Sequence, residues 1–219
     1  MTKTILSERQ KLLLHLLSSD QNIQKNFYLS GGTALAEYYL HHRYSEDLDF
    51  FTENEVDIMS IQVFFKSIST KANIKTIDFQ QSFNRNLVYL HFADEILKTE
   101  FTYYPFTQLE KPKVIDGFKI DSLMDIAVNK TFTIYQKPRS RDFIDLYLIT
   151  KEKNWSFADL RKQARAKFDT HMDPLQMAKQ LLEVDQLEDF PRMITPLAFS
   201  DWQTYWKKEA DKLKAEALT

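Results

Sequence analysis

The sequence predicts an α+β protein in which a mixed sheet with flanking helices is followed by a helical domain. Residues 73–104 contain three short stretches in which apolar and polar side chains alternate with a period of two, which is typical of strands. From Asp121 onward this alternation stops, and helical spacing runs almost to the end of the chain. We therefore divide the chain into residues 1–117, which carry the sheet, and residues 118–219, which form a C-terminal helical domain.

The elements of the first domain are predicted from the same patterns. An apolar helical stripe over 5–19 predicts a packing helix ahead of the first strand. Strands are predicted at 27–30, 47–52, 73–79, 86–92 and 95–104, and two further helices at 33–41 and 56–69. A further short strand is predicted at 118–120, just beyond the boundary of this domain. Because the connections at 84–86 and 93–95 are short enough for hairpin turns, we expect an antiparallel section of sheet there.

The second domain is predicted to contain five helices. They cover 122–135, a stretch that opens after Lys137, 156–168, 173–184, and a last helix from about 200 to 218.

Composition excludes several classes of protein. The 219 residues are 43% hydrophobic and include 17 Phe, which is enough for a core. No segment reaches the roughly 18 unbroken apolar residues of a membrane span, and the first residues lack the apolar stretch of a signal peptide. Cysteine is absent, which rules out disulfides and thiolate zinc sites and fits a reducing compartment. We expect a cytoplasmic protein without a membrane partner.

Charge is unevenly distributed although the net charge is only -2. Residues 41–60 hold one Arg against six acids, whereas residues 128–167 hold ten Lys and Arg against four acids. An acidic, metal-binding region and a basic region would suit a nucleotide, although two solvated faces explain the charges equally well.

Two of the three glycines, Gly31 and Gly32, are adjacent and lie between a predicted strand and a predicted helix. Thr33 follows them, and we place it near the N-cap of the helix. A strand, a glycine pair and a helix start present backbone N–H groups to an anion, and glycine permits positive φ and close approach of a ligand. The alternative is a tight turn that binds nothing.

Asp47 and Asp49 alternate with Leu48 on the strand predicted at 47–52, so their side chains share one face. Two neighbouring carboxylates repel each other, which disfavours this arrangement as a source of stability. A hard divalent cation such as Mg²⁺, or Mn²⁺ in its place, prefers oxygen ligands and binds phosphates. The pair is therefore a candidate metal site, and a solvated strand edge is the alternative.

Glu100 is an acid in the middle of a predicted strand, between Thr99 and Phe101. A buried carboxylate is costly unless it is paired or bound to a metal. Lys98 shares its face, so a Lys98–Glu100 ion pair on an exposed face and a metal-binding role are both open.

Further charged residues have two interpretations. Arg43 lies close to the acids and could form a surface ion pair or contact a phosphate. Lys130 lies on the helix predicted at 122–135. Asp142 and Asp145 are i,i+3 neighbours near the start of the next helix, where acids complement the helix dipole without any functional role.

The order of these residues resembles that of a known family. Gly31-Gly32-Thr33, a helix, and then Arg43-x-Ser45-x-Asp47-Leu48-Asp49-Phe50 resemble the nucleotidyltransferases of the DNA polymerase beta superfamily, and more closely the AbiEii/AbiGii-type nucleotidyltransferase toxins. The resemblance is strong over 28–51 and returns over 118–148, where Lys130 and Arg141-Asp142-x-x-Asp145-Leu146 match the later motifs of the family. Beyond residue 150 it fades.

The resemblance implies roles for these residues. The phosphates of an incoming nucleotide are expected to contact Gly31, Gly32, Thr33, Arg43 and Ser45. The resemblance implies that Asp47, Asp49 and Glu100 are the metal ligands, with their carboxylates converging on one point, and that Glu100 helps to deprotonate the acceptor. It also implies that Lys130 reaches towards the glycine pair to neutralise the triphosphate, and that Asp142 and Asp145 complete the nucleotide site.

The implied reaction is in-line transfer of a nucleoside monophosphate from an NTP to an acceptor, with release of pyrophosphate. The family also implies a bacterial toxin–antitoxin or phage-defence role, with tRNA or another RNA as acceptor and a separately encoded antitoxin as protein partner. Two alternatives are a nucleotidyltransferase that modifies a small molecule such as an antibiotic, and a nucleotide-binding module without catalysis. Intact Asp47, Asp49 and Glu100 argue against the last of these.

Overall fold

The computed structural model describes residues 4–217, and the chain divides into two compact units. The first contains the chain up to Tyr39 together with Tyr44–Ser122, and the second contains Leu40–Arg43 together with the chain from Leu123 onward. The division after Ser122 falls a few residues later than the predicted boundary at 117, because the strand at 118–120 pairs within the sheet of the first unit. The assignment of Leu40–Arg43 to the second unit is not predicted by the sequence.

The first unit contains four helices and seven strands among its described residues. In chain order they are α1 (Glu8–Ser18), α2 (Gln21–Asn26), β1 (Tyr28–Ser30), α3 (Gly31–Leu35), β2 (Leu48–Thr52), α4 (Ile58–Ile68), β3 (Thr76–Ser82), β4 (Arg85–His91), β5 (Ile96–Tyr103), β6 (Lys113–Ile115) and β7 (Phe118–Ile120).

The seven strands form one mixed sheet in the order β3-β4-β5-β2-β1-β7-β6. The strands β3, β4 and β5 are antiparallel to one another, as the short turns predict. In contrast, β2 runs parallel to β5, and β1 runs parallel to β7. The long connections between the parallel pairs carry α3, α4 and the strands of the hairpins, as parallel pairing requires. The predicted mixed sheet with flanking helices is confirmed.

Aromatic rings pack one face of this sheet. Phe50 of β2 and Phe101 of β5 are fully buried and stack with ring centroids 5.1 Å apart. Phe65 of α4 meets Phe101 edge-on at 5.9 Å, so this helix covers the same face. Burial of each such ring stabilises the fold by about 1.5–3 kcal/mol. The opposite face of β2 and β5 carries the polar residues of the candidate site.

The helix predicted at 33–41 differs from its prediction in two ways. It begins at Gly31, is α-helical only to Leu35, and continues as a π-helical segment over Ala36–Leu40. Its N-cap is Ser30 and not Thr33, so the predicted capping role of Thr33 is wrong. The helix ends at His41, which has φ of 50°.

The helix α2 and the strand β6 are not predicted by the sequence. The Asp20 side chain caps α2 by accepting the backbone N–H groups of Asn22 and Ile23, both at 3.0 Å. The strand β6 forms a hairpin with β7 around Asp116 and Gly117, which have φ of 49° and 77°. An Asp-Gly pair with positive φ at both residues is the signature of a tight hairpin turn.

The second unit is helical, as predicted. Its helices are α5 (Leu123–Gln136), α6 (Ser140–Lys153), α7 (Phe157–Lys167), α8 (Pro174–Leu182) and α9 (Phe199–Glu216), and a 3-10 turn, Glu183–Asp185, follows α8. Its core contains Trp206 of α9, which is fully buried and donates its indole N–H to the Phe143 carbonyl of α6 at 3.1 Å. The predicted end of the last helix at 218 lies outside the described residues.

Helix length and hydropathy bear on membrane insertion. Within residues 4–217, no helix combines the length and the apolar composition needed to span a bilayer.

Candidate active site

The candidate site lies on the face of β2 and β5 opposite the aromatic core. Leu48 and Phe50 are fully buried, whereas Asp47 and Asp49 are partly exposed, as the predicted alternation requires. In the parallel register, Asp49 lies directly opposite Glu100. Side chains opposite each other in paired strands share a face. Asp47, Asp49 and Glu100 therefore stand on one face of the sheet, which we call the acid face.

Two basic residues on the acid face neutralise the outer carboxylates. The Lys98 ammonium group donates to Asp47 Oδ2 at 3.0 Å. The Arg85 guanidinium group, from β4, donates from Nε and Nη2 to the two oxygens of Glu100, both at 2.6 Å. The suggested Lys98–Glu100 pair on an exposed face is thus wrong, because Glu100 is only 5% exposed and its hydrogen-bonded cation is Arg85.

The surroundings of Glu100 keep it ionised. Burial raises the pKa of its carboxyl group, but hydrogen bonds from Arg85 and from the Thr102 hydroxyl, together with the charges of Arg85 and Lys98, outweigh burial and lower the pKa. Glu100 is therefore a carboxylate at neutral pH. Bidentate guanidinium–carboxylate contacts of this kind are among the stronger hydrogen bonds in proteins.

The glycine pair adjoins the central carboxylate of the acid face. Gly31 has φ of 70°, and a Cβ atom on it would lie 2.6 Å from Asp49 Oδ2. A side chain there would have to displace the Asp49 carboxylate, and the positive φ itself favours glycine at this position. The sequence suggests only a phosphate-binding role for Gly31 and does not reveal this contact.

Thr33 and Ser45 hold the chain around Asp47. Thr33 is buried and donates its hydroxyl group to the Asp47 carbonyl, so this hydroxyl positions the start of β2. The Ser45 carbonyl accepts from the Gln10 amide at 2.9 Å, and this bond ties the same segment to α1. Both residues fix the backbone that enters the acid face.

Metal binding requires oxygen donors that can be brought together. Within residues 4–217, no three His, Asp or Glu side chains are arranged to hold an ion, so the expected convergence of three carboxylates on one point is not found there. Asp47 and Glu100 are instead paired with Lys98 and Arg85. The donor set itself fits a hard divalent cation, because it consists of carboxylate oxygens on one face, with Asp49 and Glu100 adjacent in register.

The remaining predicted site residues form a cluster within the second unit, centred on Asp145. This carboxylate is fully buried and accepts from Arg43 Nε and Nη2, both at 2.7 Å. It also lies 2.7 Å from His42 Nε2 and 2.7 Å from Lys130 Nζ. We call His42, Arg43, Lys130, Asp142 and Asp145 the Asp145 cluster.

Asp142 completes the cluster at its edge. The carboxylate accepts from Lys130 Nζ at 3.0 Å and from Arg139 Nε at 3.2 Å. Asp142 is buried, so it does more than complement a helix dipole on the surface. Arg43 is only 2% exposed, so the alternative of a surface ion pair is wrong for this residue. A phosphate contact from Arg43 would require its bonds to Asp145 to open.

Asp145 stays ionised in spite of its burial. Burial raises the pKa of its carboxyl group, but the charges of Lys130 and Arg43 and the hydrogen bonds from Arg43 and His42 dominate and hold the pKa well below its ordinary value of 3.8. A buried carboxylate with this many donors is fixed in one orientation.

Three residues of these sites are missed by the sequence reasoning. Arg85 lies in an amide-rich stretch, and only the β4–β5 register reveals that it stands opposite Thr102, within reach of Glu100 two residues along β5. Thr102 follows Glu100 by two residues on β5, which is a signal that the period of two could have supplied. His42 is next to Arg43, but its bond to Asp145 depends on tertiary structure.

Comparison with known proteins identifies the class. Residues 13–219 match the family described as nucleotidyl transferase AbiEii toxin, type IV toxin–antitoxin system. The chain belongs to this family, so the predictions of the family and of a nucleotidyltransferase are confirmed.

Individual proteins are similar to this chain over most of its length. An uncharacterized protein of Aquifex aeolicus (strain VF5), aq_aa25, is 28% identical over 194 residues, which are 88% of this chain and 86% of the relative. Among solved structures, JHP933 from Helicobacter pylori has a TM-score of 0.58 at 21% identity, with 97% of this chain and 95% of the other covered. The nucleotidyltransferase toxin MenT4 (Rv2826c) from Mycobacterium tuberculosis H37Rv has a TM-score of 0.51 at 16% identity, with 93% and 82% covered. These structural likenesses show a shared fold.

Proposed function

We propose that this protein transfers a nucleoside monophosphate from an NTP to an acceptor hydroxyl group and that the acid face is its reaction centre. The observation that supports this most is the placement of Asp47, Asp49 and Glu100 on one face of two parallel strands, with Gly31 against Asp49. Repelling carboxylates beside a glycine that admits close approach are expected where a cation and phosphates bind.

We infer that Asp47, Asp49 and Glu100 would hold Mg²⁺ or Mn²⁺. A bound divalent ion supplies Lewis acidity and neutralises charge on a phosphoryl group. To present their oxygens, Asp47 and Glu100 must release Lys98 and Arg85, whose side chains are 27% and 55% exposed and can therefore move. Glu100 is ionised at neutral pH, so it can accept the proton of an acceptor hydroxyl group.

The other proposed roles concern the nucleotide. We propose that its phosphates contact the backbone N–H groups of Gly31, Gly32 and Thr33. The Thr33 hydroxyl is already bonded to the Asp47 carbonyl, so the backbone and not this hydroxyl is the expected contact. Ser45 is proposed as a further phosphate contact beside them.

For the Asp145 cluster, we propose that Lys130 neutralises the triphosphate once its bonds to Asp142 and Asp145 loosen. Arg43 and Asp145 would contribute to nucleotide binding by holding each other and Lys130 in place. The expectation that Lys130 extends to Gly31 and Gly32 remains a prediction.

The family suggests the biological setting. We propose that the protein acts in the cytoplasm as the toxin of a toxin–antitoxin or phage-defence system, that its acceptor is tRNA or another RNA, and that a separately encoded antitoxin is its partner. The family description, and the description of MenT4 as a nucleotidyltransferase toxin, support this proposal.

The direct test uses α-labelled NTPs. Each of the four ribonucleoside triphosphates is incubated with the protein, Mg²⁺ and one of three acceptors, namely total tRNA, a protein extract or hydroxylated small molecules. Label in tRNA and release of pyrophosphate are expected. Label only in small molecules would indicate the antibiotic-type activity, and NTP binding without transfer would indicate a non-catalytic module.

A further inference from the structure

Three aromatic side chains continue the acid face beyond its carboxylates. Phe51 and Tyr104 stack with ring centroids 4.8 Å apart and planes inclined by 23°, and Phe106 meets Tyr104 edge-on at 5.0 Å. All three residues are partly exposed, unlike the fully buried rings of Phe50 and Phe101. We call Phe51, Tyr104 and Phe106 the aromatic row.

The strand register places the aromatic row next to the reaction centre. Phe51 follows Asp49 by two residues on β2 and therefore lies on the same face, opposite Thr102. The Tyr104 N–H donates to the Thr52 carbonyl at 2.7 Å, which prolongs the pairing of β5 with β2 by one residue. The acid face thus changes from carboxylates to aromatic rings over about 7 Å, the length of two residues in a strand.

We propose that the aromatic row is a nucleobase-binding platform. The proposal rests on the proposed function, because it assumes that phosphates bind at the acid face. A nucleotide has a ribose between its phosphate and its base, and this spans a distance similar to the two strand residues from Asp49 to Phe51. A ligand that is held by its phosphate near Asp49 and lies along β2 therefore brings its base to the aromatic row. Partly exposed rings offer such a base a stacking surface.

The chemistry of the aromatic row also predicts how well it distinguishes one base from another. Every base has a π-face, so stacking on an aromatic ring tolerates all four bases. The rings of Phe51 and Phe106 carry no hydrogen-bonding group that could distinguish one base from another. The platform should therefore strengthen the binding of any base and discriminate weakly among them.

The base can come from two sources, the incoming NTP or the terminal nucleotide of an RNA acceptor. Variants Tyr104→Leu and Phe106→Leu remove the stacking surface, and Tyr104→Phe retains the ring. Tyr147→Leu is the matched control, because Tyr147 lies in the second unit and makes a comparable ring contact with Tyr205 at 5.3 Å. Thermal melting confirms that each variant is folded before binding is measured.

Affinities are measured by calorimetry with Mg²⁺ for each NTP, for inorganic tripolyphosphate, and for a single-stranded oligoribonucleotide. Tripolyphosphate carries the charge of an NTP and has no base. We expect Tyr104→Leu and Phe106→Leu to weaken a base-bearing ligand about tenfold, from the usual strength of base–aromatic stacking, and to leave tripolyphosphate unaffected. Tyr104→Phe and Tyr147→Leu should bind as the parent does.

The comparison of these ligands shows which base, if any, the aromatic row binds. A loss confined to NTPs assigns the platform to the incoming nucleotide, and a loss confined to RNA assigns it to the acceptor. If the leucine variants bind NTP and RNA as the parent does, or lose affinity equally for NTP and tripolyphosphate, the aromatic row is not a nucleobase platform. Neither result affects nucleotide transfer by the parent protein. A parent protein that neither binds NTP nor transfers nucleotide overturns the proposed function and the platform together.

Discussion

At the residue scale, two positions have surroundings that define the cost of a single substitution. These positions are Gly31 and Asp145. Gly31 combines a positive φ with direct contact to Asp49, and Asp145 combines full burial with bonds to His42, Arg43 and Lys130.

Gly31→Ala should lower both stability and activity. A residue with a side chain pays about 1–2 kcal/mol in the left-handed region, and the added methyl group would also push Asp49 away, because its position lies 2.6 Å from Asp49 Oδ2. Gly117→Ala is the control, since its φ of 77° imposes a similar strain but its nearest neighbour lies at 3.4 Å from the added carbon. Denaturant unfolding should show a loss for both variants, at least as large for Gly31→Ala, whereas only Gly31→Ala should reduce nucleotide transfer. Equal transfer by the two variants would show that the Gly31–Asp49 contact has no catalytic consequence.

Asp145→Asn should destabilise the second unit by about 3 kcal/mol or more, because it leaves buried cations without their counter-ion. The loss should depend on pH. Since the folded pKa of Asp145 is depressed, its contribution to stability is full above its ordinary pKa of 3.8 and declines as pH falls from there towards the folded value. The stability difference between parent and variant, measured by urea unfolding, should therefore shrink below about pH 4.

Asp211→Asn is the control for Asp145. Asp211 is exposed and pairs with Lys214 one turn along α9. Its substitution should cause no measurable loss. If the stability difference between the parent and Asp145→Asn does not change between pH 7 and pH 3, ionisation of Asp145 contributes nothing to folding stability.

At the element scale, the pairing of β4 with β5 and of β5 with β2 assembles the acid face. Arg85 and Glu100 come from adjacent strands, and Glu100 and Asp49 come from the next pair. The register of three strands thus decides which charges meet.

Arg85→Gln should raise the pKa of Glu100 and destabilise the protein without metal by about 1–3 kcal/mol, since a nearly buried carboxylate loses its main donors. It should also strengthen Mg²⁺ binding, because the ion no longer competes with the guanidinium group. Lys207→Gln, which removes a half-exposed pair with Asp185 in the second unit, is the control. Thermal melting without Mg²⁺ measures the loss of stability, and calorimetry measures the affinity for Mg²⁺. Weaker Mg²⁺ binding by Arg85→Gln would show that the guanidinium group does not compete with the ion for Glu100.

At the scale of the whole molecule, the sequence predicts the fold well and the contacts of the site incompletely. Alternation and helical spacing predict the main strands and helices, because these patterns depend on burial of one face. The short α2 and β6 are missed because their signals are a capping Asp20 and an Asp116-Gly117 turn and not an apolar pattern. The shared face of Asp47, Asp49 and Glu100 is predictable from the period of two and the family pattern. Their partners, Lys98 and Arg85, depend on strand register, and the Asp145 cluster depends on tertiary packing, neither of which the sequence displays.

If the acid face carries out nucleotide transfer, Asp49→Asn should abolish the reaction. Single-turnover transfer of label from an α-labelled NTP to tRNA is measured for the parent, for Asp49→Asn, and for Asp78→Asn, whose carboxylate on β3 is exposed and pairs with His91. Melting curves verify that the variants are folded. We expect transfer by the parent and by Asp78→Asn and none by folded Asp49→Asn. Transfer at the parent rate by Asp49→Asn would show that the acid face is not the reaction centre.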